Sequence, residues 1–228
     1  MSKLFLFDIE GTTTDIHFVH KVLFPYSQAC LREYILNHQS DPLVKNAINS
    51  VIKTVYEEQN KETDLHGAIE TLQKWINEDR KHGALKEIQG LIWDLGYSKN
   101  AFKGHVYPDV PAFFRKILDK GNKIGIYSSG SVHAQKLIFG FSILGDLTPM
   151  ISYYFDTNIG AKREKIAYEN ISVKVGLRPA EIHFFSDTPE ELLAAHSAGL
   201  KVTQVSRSNL QASDFDIIPD FNSLGDSL

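Results

Sequence analysis

The feature that most constrains this chain is a short apolar segment near its start that leads directly into acidic and hydroxyl residues. Leu4 to Phe7 has the pattern of a buried strand, and Asp8-Ile9-Glu10-Gly11-Thr12-Thr13-Thr14 follows it without a break. In open parallel α/β sheets, ligands bind at the carboxyl ends of the strands. Asp8 and Glu10 would share a face in a regular strand. Two carboxylates beside a glycine turn are suited to magnesium and phosphate chemistry.

Composition argues against several classes of protein. With 228 residues, the chain can form one large domain or two small ones. A formal net charge of −4 gives no electrostatic footprint for nucleic acid or for an anionic membrane. The single cysteine, Cys30, cannot form an intrachain disulfide. No apolar run reaches the roughly 20 residues of a transmembrane helix, and the segment before Asp8 is too short for a signal peptide. We therefore expect a soluble, cytoplasmic protein.

After His105, short β-rich runs alternate with helical patterns. The predicted strands are Lys123–Tyr127, Ile151–Phe155, Glu181–Phe185 and Lys201–Val205. The predicted helices are Val110–Lys120, Val132–Phe139, Lys162–Val175 and a helix that runs from Pro189 to Gly199. This alternation predicts βαβ units, and therefore an α/β fold with a Rossmann-like, mostly parallel sheet.

Residues 18–98 have a different pattern, that of consecutive amphipathic helices without a strong strand. These helices are predicted at about Leu23–Asn37, Leu43–Asn60, Leu65–Arg80 and Ala84–Leu95. A segment of this length is too long for a connecting loop. We expect an α/β core of residues 1–16 and 105–228, interrupted after its first strand by an inserted all-helical cap domain, residues 17–104. A cap at this place can exclude water and select the substrate.

The first polar segment has two interpretations. Asp8 could be a nucleophile that attacks phosphorus and forms an aspartyl phosphate. Glu10 could then protonate the leaving oxygen and later activate water, while Gly11 lets the backbone approach the ligand. The alternative is a polar strand end, in which Asp8 caps a turn and the threonines are solvated.

Three further polar segments follow predicted strands, and each also has two interpretations. Ser128-Ser129-Gly130-Ser131 could bind phosphate at a helix N-terminus or supply an ordinary N-cap. Lys162, at a predicted helix start, opposes the helix dipole; it could neutralise phosphoryl charge or be a surface residue. Asp187 could bind magnesium with Glu191 in support, or Asp187 or Thr188 could cap the next helix. The occurrence of all four segments at strand ends favours one shared phosphate site.

These segments resemble the four motifs of the haloacid dehalogenase-like hydrolase superfamily. Within it, the chain is most similar to the enolase-phosphatases of methionine salvage. The strings that carry this resemblance are FDIEGTTTDIHFVHKVLFPY, IQGLIWDLGY, KGHVYPDV, IYSSGSVHAQKLIFGFSILGDLTP and YFDTNIGAKRE. They span most of the chain, including the predicted cap. Most phosphatases of the superfamily have aspartate at the position of Glu10, so this glutamate is a narrow marker.

The resemblance implies a bifunctional, magnesium-dependent reaction on a small phosphorylated diketone, 2,3-diketo-5-methylthiopentyl 1-phosphate. The substrate is enolised, and the enol phosphate is hydrolysed to the acireductone 1,2-dihydroxy-3-keto-5-methylthiopentene. The resemblance also implies a cytoplasmic monomer with one Mg2+ per subunit and no nucleic-acid or membrane partner. Matched by position, the catalytic residues are Asp8 and Glu10, the metal site is Asp8, the backbone of Glu10 and Asp187, and the phosphate contacts are Ser128, Ser129 and Lys162.

Some positions depart from the family pattern. Tyr153 stands where relatives often have glycine, Ala167 stands where many have serine, and Ser206-Arg207-Ser208-Asn209 replaces an Arg-Pro-Gly-Asn turn. None of these changes removes a proposed ligand, so they concern substrate positioning and leave the reaction class unaffected.

Several residues could serve as the enolising base, and His17, His20, Glu57 and Lys86 could instead have only a surface or core role. Groups of a suitable type are Glu10, His17, His20, Glu57 and Lys86. The alternative function is a phosphatase of the same superfamily that acts on another small phosphate ester. A dehalogenase would not need the magnesium ligands, and a catalytically silent binding module would not need a nucleophile.

Overall fold

The computed structural model describes residues 2–207 and 214–225, and the chain divides into two compact units. One unit contains the chain up to Phe18 and again from Lys103 onward, and the other is Val19–Phe102. Each unit has its own hydrophobic core. The role of the helical segment as a cap domain remains a proposal.

The first unit is built on a parallel sheet. Its strands are β1 (Leu4–Phe7), β2 (Lys123–Tyr127), β3 (Tyr153–Phe155), β4 (Ile182–Ser186), β5 (Lys201–Val205) and β6 (Ile217–Ile218). Among the residues described, these six strands form one sheet in the order β3-β2-β1-β4-β5-β6, and each neighbouring pair is parallel. The predicted α/β fold is therefore confirmed. β1 is the central strand at which the order of connection reverses, which is where such sheets bind ligands.

The helices lie in both units. Those of the first unit are a short α1 (Ile16–Phe18), α6 (Asp109–Asp119), α7 (Val132–Gly140), α8 (Lys165–Val175) and α9 (Pro189–Ser197). Those of the second unit are a π-helical turn (Val19–Leu23), α2 (Phe24–Asn37), α3 (Pro42–Gln59), α4 (Leu65–Asn77) and α5 (Gly83–Ser98). All of residues 19–102 are described, and they contain no strand. No helix in the described ranges is both long enough and apolar enough to cross a membrane.

Three strands end level at the carboxyl edge of the sheet. Phe7 pairs with Ile126 on β2 and with Phe185 on β4. The backbone N–H of Asp8 donates to the Phe185 carbonyl at 2.9 Å, which extends the pairing of β1 to its first polar residue. The polar residues that follow β1, β2 and β4 consequently leave the same edge of the sheet.

Both faces of β1 are buried, as expected for a central parallel strand. Leu4 and Leu6 pack in one cluster with Tyr168 of α8 and Leu192 of α9. On the opposite face, Phe7 stacks on Phe185 with ring centroids 5.0 Å apart. The aromatic cluster on this face also contains Phe5, Phe113 and Phe221. The alternation of side chains along β1 thus connects it to both layers of helices.

The sheet differs from the sequence prediction at its two edges. β3 begins at Tyr153, later than predicted, because a 3-10 turn over Thr148–Met150 still holds the Ile151 N–H. β6 was not predicted, because a strand of two residues, Ile217–Ile218, has no detectable periodicity.

The chain that returns to the first unit is fixed at Gly104. The N–H of Gly104 donates to the Phe141 carbonyl, and the Gly104 carbonyl accepts from the Ile143 N–H, both at 2.8 Å. A Cβ atom at Gly104 would lie 2.1 Å from the carbonyl oxygen of Ile138, far inside van der Waals contact. Glycine is therefore required here by the space available.

We expect Gly104→Ala to lower the free energy of unfolding by about 1–3 kcal/mol, the range for overpacking a filled site. The measurement is urea unfolding followed by circular dichroism. Gly83→Ala is the matched control, because a Cβ atom at Gly83 would meet nothing within 4 Å. Equal stability of Gly104→Ala and the wild type would contradict this description of the contact.

His183 is half-buried on β4, in the first unit. Its ring stacks on Phe185 with centroids 4.2 Å apart, and its Nε2 lies 2.8 Å from the Thr203 hydroxyl. Burial, with Lys201 and Lys3 nearby, lowers the pKa of His183 to about 4. Between this value and the ordinary histidine pKa, the unfolded chain binds a proton that the folded chain does not. His183 therefore makes stability rise with pH across that interval.

We expect the wild type to lose stability through His183 as the pH falls from about 7.5 to about 5, by up to about 2 kcal/mol. His183→Gln should remove this contribution, so its unfolding free energy should change less between the two pH values. His66→Gln, at an exposed position of α4, is the control. The same pH dependence in His183→Gln and the wild type would refute the assignment.

Candidate active site

Asp8 is buried at the end of β1, with 3% of its surface exposed. The turn that follows it is fixed by backbone bonds from Thr12, Thr13 and Thr14 to the Ile9 carbonyl. The Thr13 hydroxyl donates to the Asp8 carbonyl at 2.9 Å. All three threonines are buried, so the interpretation of solvated threonines at a polar strand end is wrong.

Lys162 supplies a positive charge to the Asp8 carboxylate. Its Nζ contacts Oδ1 of Asp8 and lies 2.7 Å from Oε2 of Glu191, which also accepts from the Ser186 hydroxyl at 3.0 Å. Lys162 is only 7% exposed, so it is not a surface residue. One ammonium group thus lies between two buried carboxylates, on residues 154 and 29 positions away in the sequence.

The pKa values of this pair reflect burial and mutual attraction. Burial raises the pKa of Asp8 well above its usual value, the Lys162 ammonium opposes this, and the carboxylates of Glu191, Glu10 and Asp187 add to it. Burial acts to lower the pKa of Lys162, but the carboxylates of Asp8 and Glu191 raise it above its usual value. Asp8 is consequently surrounded by more negative than positive side chains, an arrangement that favours an additional cation.

The prediction that Lys162 begins a helix is wrong. α8 begins at Lys165, because Glu164 at its N-cap position has an extended backbone, with φ −113° and ψ 130°. Lys162 lies in the preceding turn, where the argument from the helix dipole does not apply.

Ser128, directly after β2, contacts Glu10 after β1. Its hydroxyl lies 3.3 Å from Oε2 of Glu10 and accepts from the Gly130 N–H at 3.1 Å. Ser128 is buried and Ser129 is exposed. The N-cap of α7 is Ser131, whose hydroxyl accepts from the Ala134 N–H at 3.2 Å. The N-cap interpretation of this segment is therefore confirmed for Ser131, and phosphate binding by Ser128 and Ser129 stays a prediction.

Asp187 follows β4 and packs closely against the turn after β1. A Cβ atom at Gly11 would lie 2.2 Å from Oδ2 of Asp187, and Gly11 has a φ of +74°. Burial raises the pKa of Asp187, which the hydrogen bond from the Thr188 hydroxyl opposes. Thr188 occupies the N-cap position of α9 but makes no side-chain cap bond. The absence of a side chain at Gly11, after β1, thus leaves space for the Asp187 carboxylate, after β4.

A cleft of about 700 Å³ opens beside Asp187. Its lining includes Gly11 after β1, Tyr107 before α6, Gln204 on β5 and Arg207 after β5. The site therefore adjoins a space large enough for a small organic phosphate.

Arg207 and Asp109 fix the first loop, and the sequence analysis did not identify this role. The Arg207 guanidinium donates to the Thr12 carbonyl from Nε and Nη2, at 3.1 and 2.7 Å, and from Nη1 to Asp109 at 2.8 Å. It also stacks on Tyr107, 4.1 Å from the ring centroid. No local pattern could reveal these contacts, because Thr12 is 195 positions away in the sequence.

The structure shows the packing of two other residues that depart from the family pattern, Ala167 and Tyr153. Ala167 is buried, and a Cβ atom at Gly160 would lie 2.8 Å from its methyl group, so a small residue fits there. Tyr153 stacks on Phe155, with ring centroids 6.1 Å apart. Ser208 and Asn209 lie outside the described residues.

Comparisons with known proteins show the family of the chain. A family model for haloacid dehalogenase-like hydrolases matches residues 2–199. The chain is 45% identical over 225 residues to Enolase-phosphatase E1 of Yersinia enterocolitica, covering 96% of this chain and 97% of that protein. It is 46% identical over 219 residues to Enolase-phosphatase E1 of a Sulfurihydrogenibium species, covering 96% of this chain and 94% of the relative.

The chain is also similar to solved structures. The crystal structure of the UTR4 protein of Saccharomyces cerevisiae matches with a TM-score of 0.81 and 31% identity, over 98% of this chain and 100% of that one. CbbY of Rhodobacter sphaeroides, with a TM-score of 0.60 and 15% identity over 99% of this chain and 97% of that one, shares the fold. By its sequence, its parallel sheet and its relatives, the chain belongs to the enolase-phosphatase family of haloacid dehalogenase-like hydrolases.

Proposed function

We propose that this protein is a magnesium-dependent enolase-phosphatase of methionine salvage. Its substrate is 2,3-diketo-5-methylthiopentyl 1-phosphate, and its products are phosphate and the acireductone 1,2-dihydroxy-3-keto-5-methylthiopentene. The observation that carries the proposal is the buried contact of Asp8 with Lys162 at the carboxyl end of β1. The names of its relatives support the same activity. The proposal includes a monomeric state and a cytoplasmic location.

In the phosphatase step, an oxygen of Asp8 attacks phosphorus. The new O–P bond forms as the bond from phosphorus to the enol oxygen breaks, and Glu10 donates a proton to that leaving oxygen. Glu10 then removes a proton from the water that cleaves the aspartyl phosphate, which releases phosphate and restores Asp8. The 3.3 Å separation of the Ser128 hydroxyl from Oε2 of Glu10 supports this role, because Ser128 is a proposed phosphate contact.

Lys162, Ser128 and Ser129 would bind the phosphoryl group. The Lys162 ammonium, held between Asp8 and Glu191, neutralises charge that accumulates on the phosphoryl oxygens. The two serine hydroxyls donate hydrogen bonds to the same oxygens. The repulsion between the Asp8 carboxylate and the anionic phosphate is thereby offset where the bond forms.

The residues present fit a magnesium ion. Within residues 2–207 and 214–225 no cluster of three His, Cys, Asp or Glu side chains could hold a metal. Magnesium, however, is usually held by one or two carboxylates, with waters and substrate phosphate completing its shell. Asp8, Asp187 and the backbone carbonyl of Glu10 would hold it. A bound ion supplies further charge neutralisation for the phosphoryl group.

The five candidate groups for the enolising base are divided between the two units. Glu10 and His17 belong to the first unit, and His17 lies on the rim of the cleft beside Asp187. His20, Glu57 and Lys86 belong to the second unit.

Asp8→Asn should abolish phosphate release, because an amide is a poor nucleophile toward phosphorus. The assay supplies the diketo phosphate with magnesium and follows enol absorbance and free phosphate together. Accumulation of the enol without phosphate would separate the two half-reactions. Asp119→Asn, at an exposed position of α6, is the control and should behave as the wild type. Normal phosphate release by Asp8→Asn would rule out Asp8 as the nucleophile.

The same assay tests the alternative substrate class. Release of phosphate from simple sugar phosphates, with no reaction of the diketone, would favour a phosphatase for another small ester.

Magnesium should stabilise the wild type against thermal unfolding, by about 2.7 kcal/mol at a hundred times its dissociation constant. Asp187→Asn should abolish most of this gain, because one of the two proposed carboxylate ligands is lost. Glu190→Gln, at an exposed position on the first turn of α9, removes the same charge nearby and serves as the control. Equal stabilisation of Asp187→Asn and the wild type by magnesium would exclude Asp187 as a ligand.

A further inference from the structure

Lys162 lies in a segment with little regular structure. β3 ends at Phe155 and α8 begins at Lys165, so no strand or helix defines the position of Lys162. The Lys162 side chain nevertheless reaches two buried carboxylates, that of Asp8 directly after β1 and that of Glu191 on α9. Because the ammonium is at the end of a flexible stem, its placement depends on how firmly the backbone of this segment is held.

Two buried tyrosine hydroxyls hold the backbone of this segment. The Tyr127 hydroxyl donates to the Gly160 carbonyl at 2.9 Å, and the Tyr168 hydroxyl donates to the Lys162 carbonyl at 2.7 Å. Both tyrosines have 0% of their surface exposed. The two bonds thus bracket the residues Gly160 to Lys162, from β2 on one side and from α8 on the other.

The tyrosine rings are packed against each other and against Phe184. Tyr127 and Tyr168 form an edge-on pair with centroids 5.6 Å apart, and Tyr168 also packs on Phe184 with centroids 5.3 Å apart. Burial raises the pKa of both hydroxyls, which keeps them protonated as donors. Each hydroxyl therefore presents a fixed donor to one carbonyl.

The backbone at Gly160 contributes to the same restraint. Gly160 has a φ of +143°, and its Cα approaches Ala167 so closely that a Cβ atom would lie 2.8 Å from the Ala167 methyl group. Asn170, on the exposed side of α8, donates to the Ile159 carbonyl at 2.9 Å. The segment is therefore fixed by side chains of α8 and β2 rather than by strand pairing.

Tyr127 also precedes Ser128 in the chain. The Tyr127 ring centroid lies 5.8 Å from Nζ of Lys162. Tyr127 thus lies next to the proposed phosphate contacts Ser128 and Ser129 in the chain. Its side chain contacts the segment that contains Lys162, the third proposed phosphate contact.

We propose that Tyr127 and Tyr168 are positioning residues, whose hydroxyls fix the Gly160 and Lys162 carbonyls and thereby place the Lys162 ammonium for phosphate binding. This inference rests on the proposed function, because it assumes that Lys162 binds the phosphoryl group. The tyrosines touch neither phosphate nor Asp8 in this role; they act through the backbone of Lys162.

The test uses the full chain with Tyr168→Phe and, separately, Tyr127→Phe. Each variant deletes one hydroxyl and keeps the ring. Tyr154→Phe is the matched control, because the Tyr154 hydroxyl is also buried but has no hydrogen-bond partner among the described residues. The readouts are binding of inorganic phosphate by calorimetry in the presence of magnesium, kcat and KM for the diketo phosphate, and the thermal unfolding midpoint.

We expect Tyr168→Phe to weaken phosphate binding and to lower kcat/KM by about 10- to 100-fold, the effect of a small misplacement of a catalytic group. Tyr127→Phe should act in the same direction, and Tyr154→Phe should leave phosphate binding and kcat/KM unchanged. Wild-type phosphate binding and turnover in both Tyr168→Phe and Tyr127→Phe would overturn the inference. Losses as large in Tyr154→Phe would also overturn it, because they would reflect general packing.

Lys162→Ala distinguishes failure of this inference from failure of the proposed function. If Lys162→Ala abolishes phosphate binding while both tyrosine variants bind normally, only the positioning role fails. If Lys162→Ala binds phosphate as the wild type does, the proposed role of Lys162 fails, and the inference about the tyrosines fails with it. If Tyr168→Phe does not fold, Tyr127→Phe and Tyr154→Phe provide the same comparison.

Discussion

The site of this protein depends on compensating a carboxylate that the fold has buried. Asp8 lies at the end of the central strand, where backbone pairing continues to Phe185 and leaves the side chain little contact with water. A buried charge without a partner is strongly unfavourable, and a partner must be held in good geometry to offset the loss of hydration. Lys162 is that partner, and Glu191 shares it. We propose that the loops around the site hold this ammonium in place.

Each loop at this edge is fixed by side chains from other parts of the chain. Arg207 holds the Thr12 carbonyl after β1, and the Asp187 carboxylate fills the space that Gly11 leaves open. After β3, two tyrosine hydroxyls hold the segment before α8. Buried backbone N–H and C=O groups in loops have no strand partner, so they need hydrogen bonds from other parts of the chain. Here those partners also determine where the charged side chains point, which connects the stability of the loops with the geometry of the site.

The excess of carboxylates around one ammonium suits the chemistry that we propose. Glu191, Glu10 and Asp187 all raise the pKa of Asp8, and only Lys162 acts against them among the causes of that shift. An additional cation would reduce this repulsion, and so would the proton of a catalytic acid. The same electrostatics that are unfavourable for the isolated protein are therefore consistent with a site that binds magnesium together with substrate.

The sequence by itself determined the class of fold, the family and the four segments that leave the strand ends. Apolar runs such as Leu4–Phe7 that break into polar residues identify strand ends locally, and the strings shared with the enolase-phosphatases are contiguous in the chain. The assignment of roles to Asp8, Glu10, Ser128, Ser129, Lys162 and Asp187 stays a prediction. Tertiary structure alone decided that Lys162 precedes α8 rather than beginning it, and that Glu191 is its second partner. It also decided that Arg207, Tyr127 and Tyr168 hold the loops, because these contacts join residues whose proximity depends on how the strands pair and the helices pack, which no local pattern encodes.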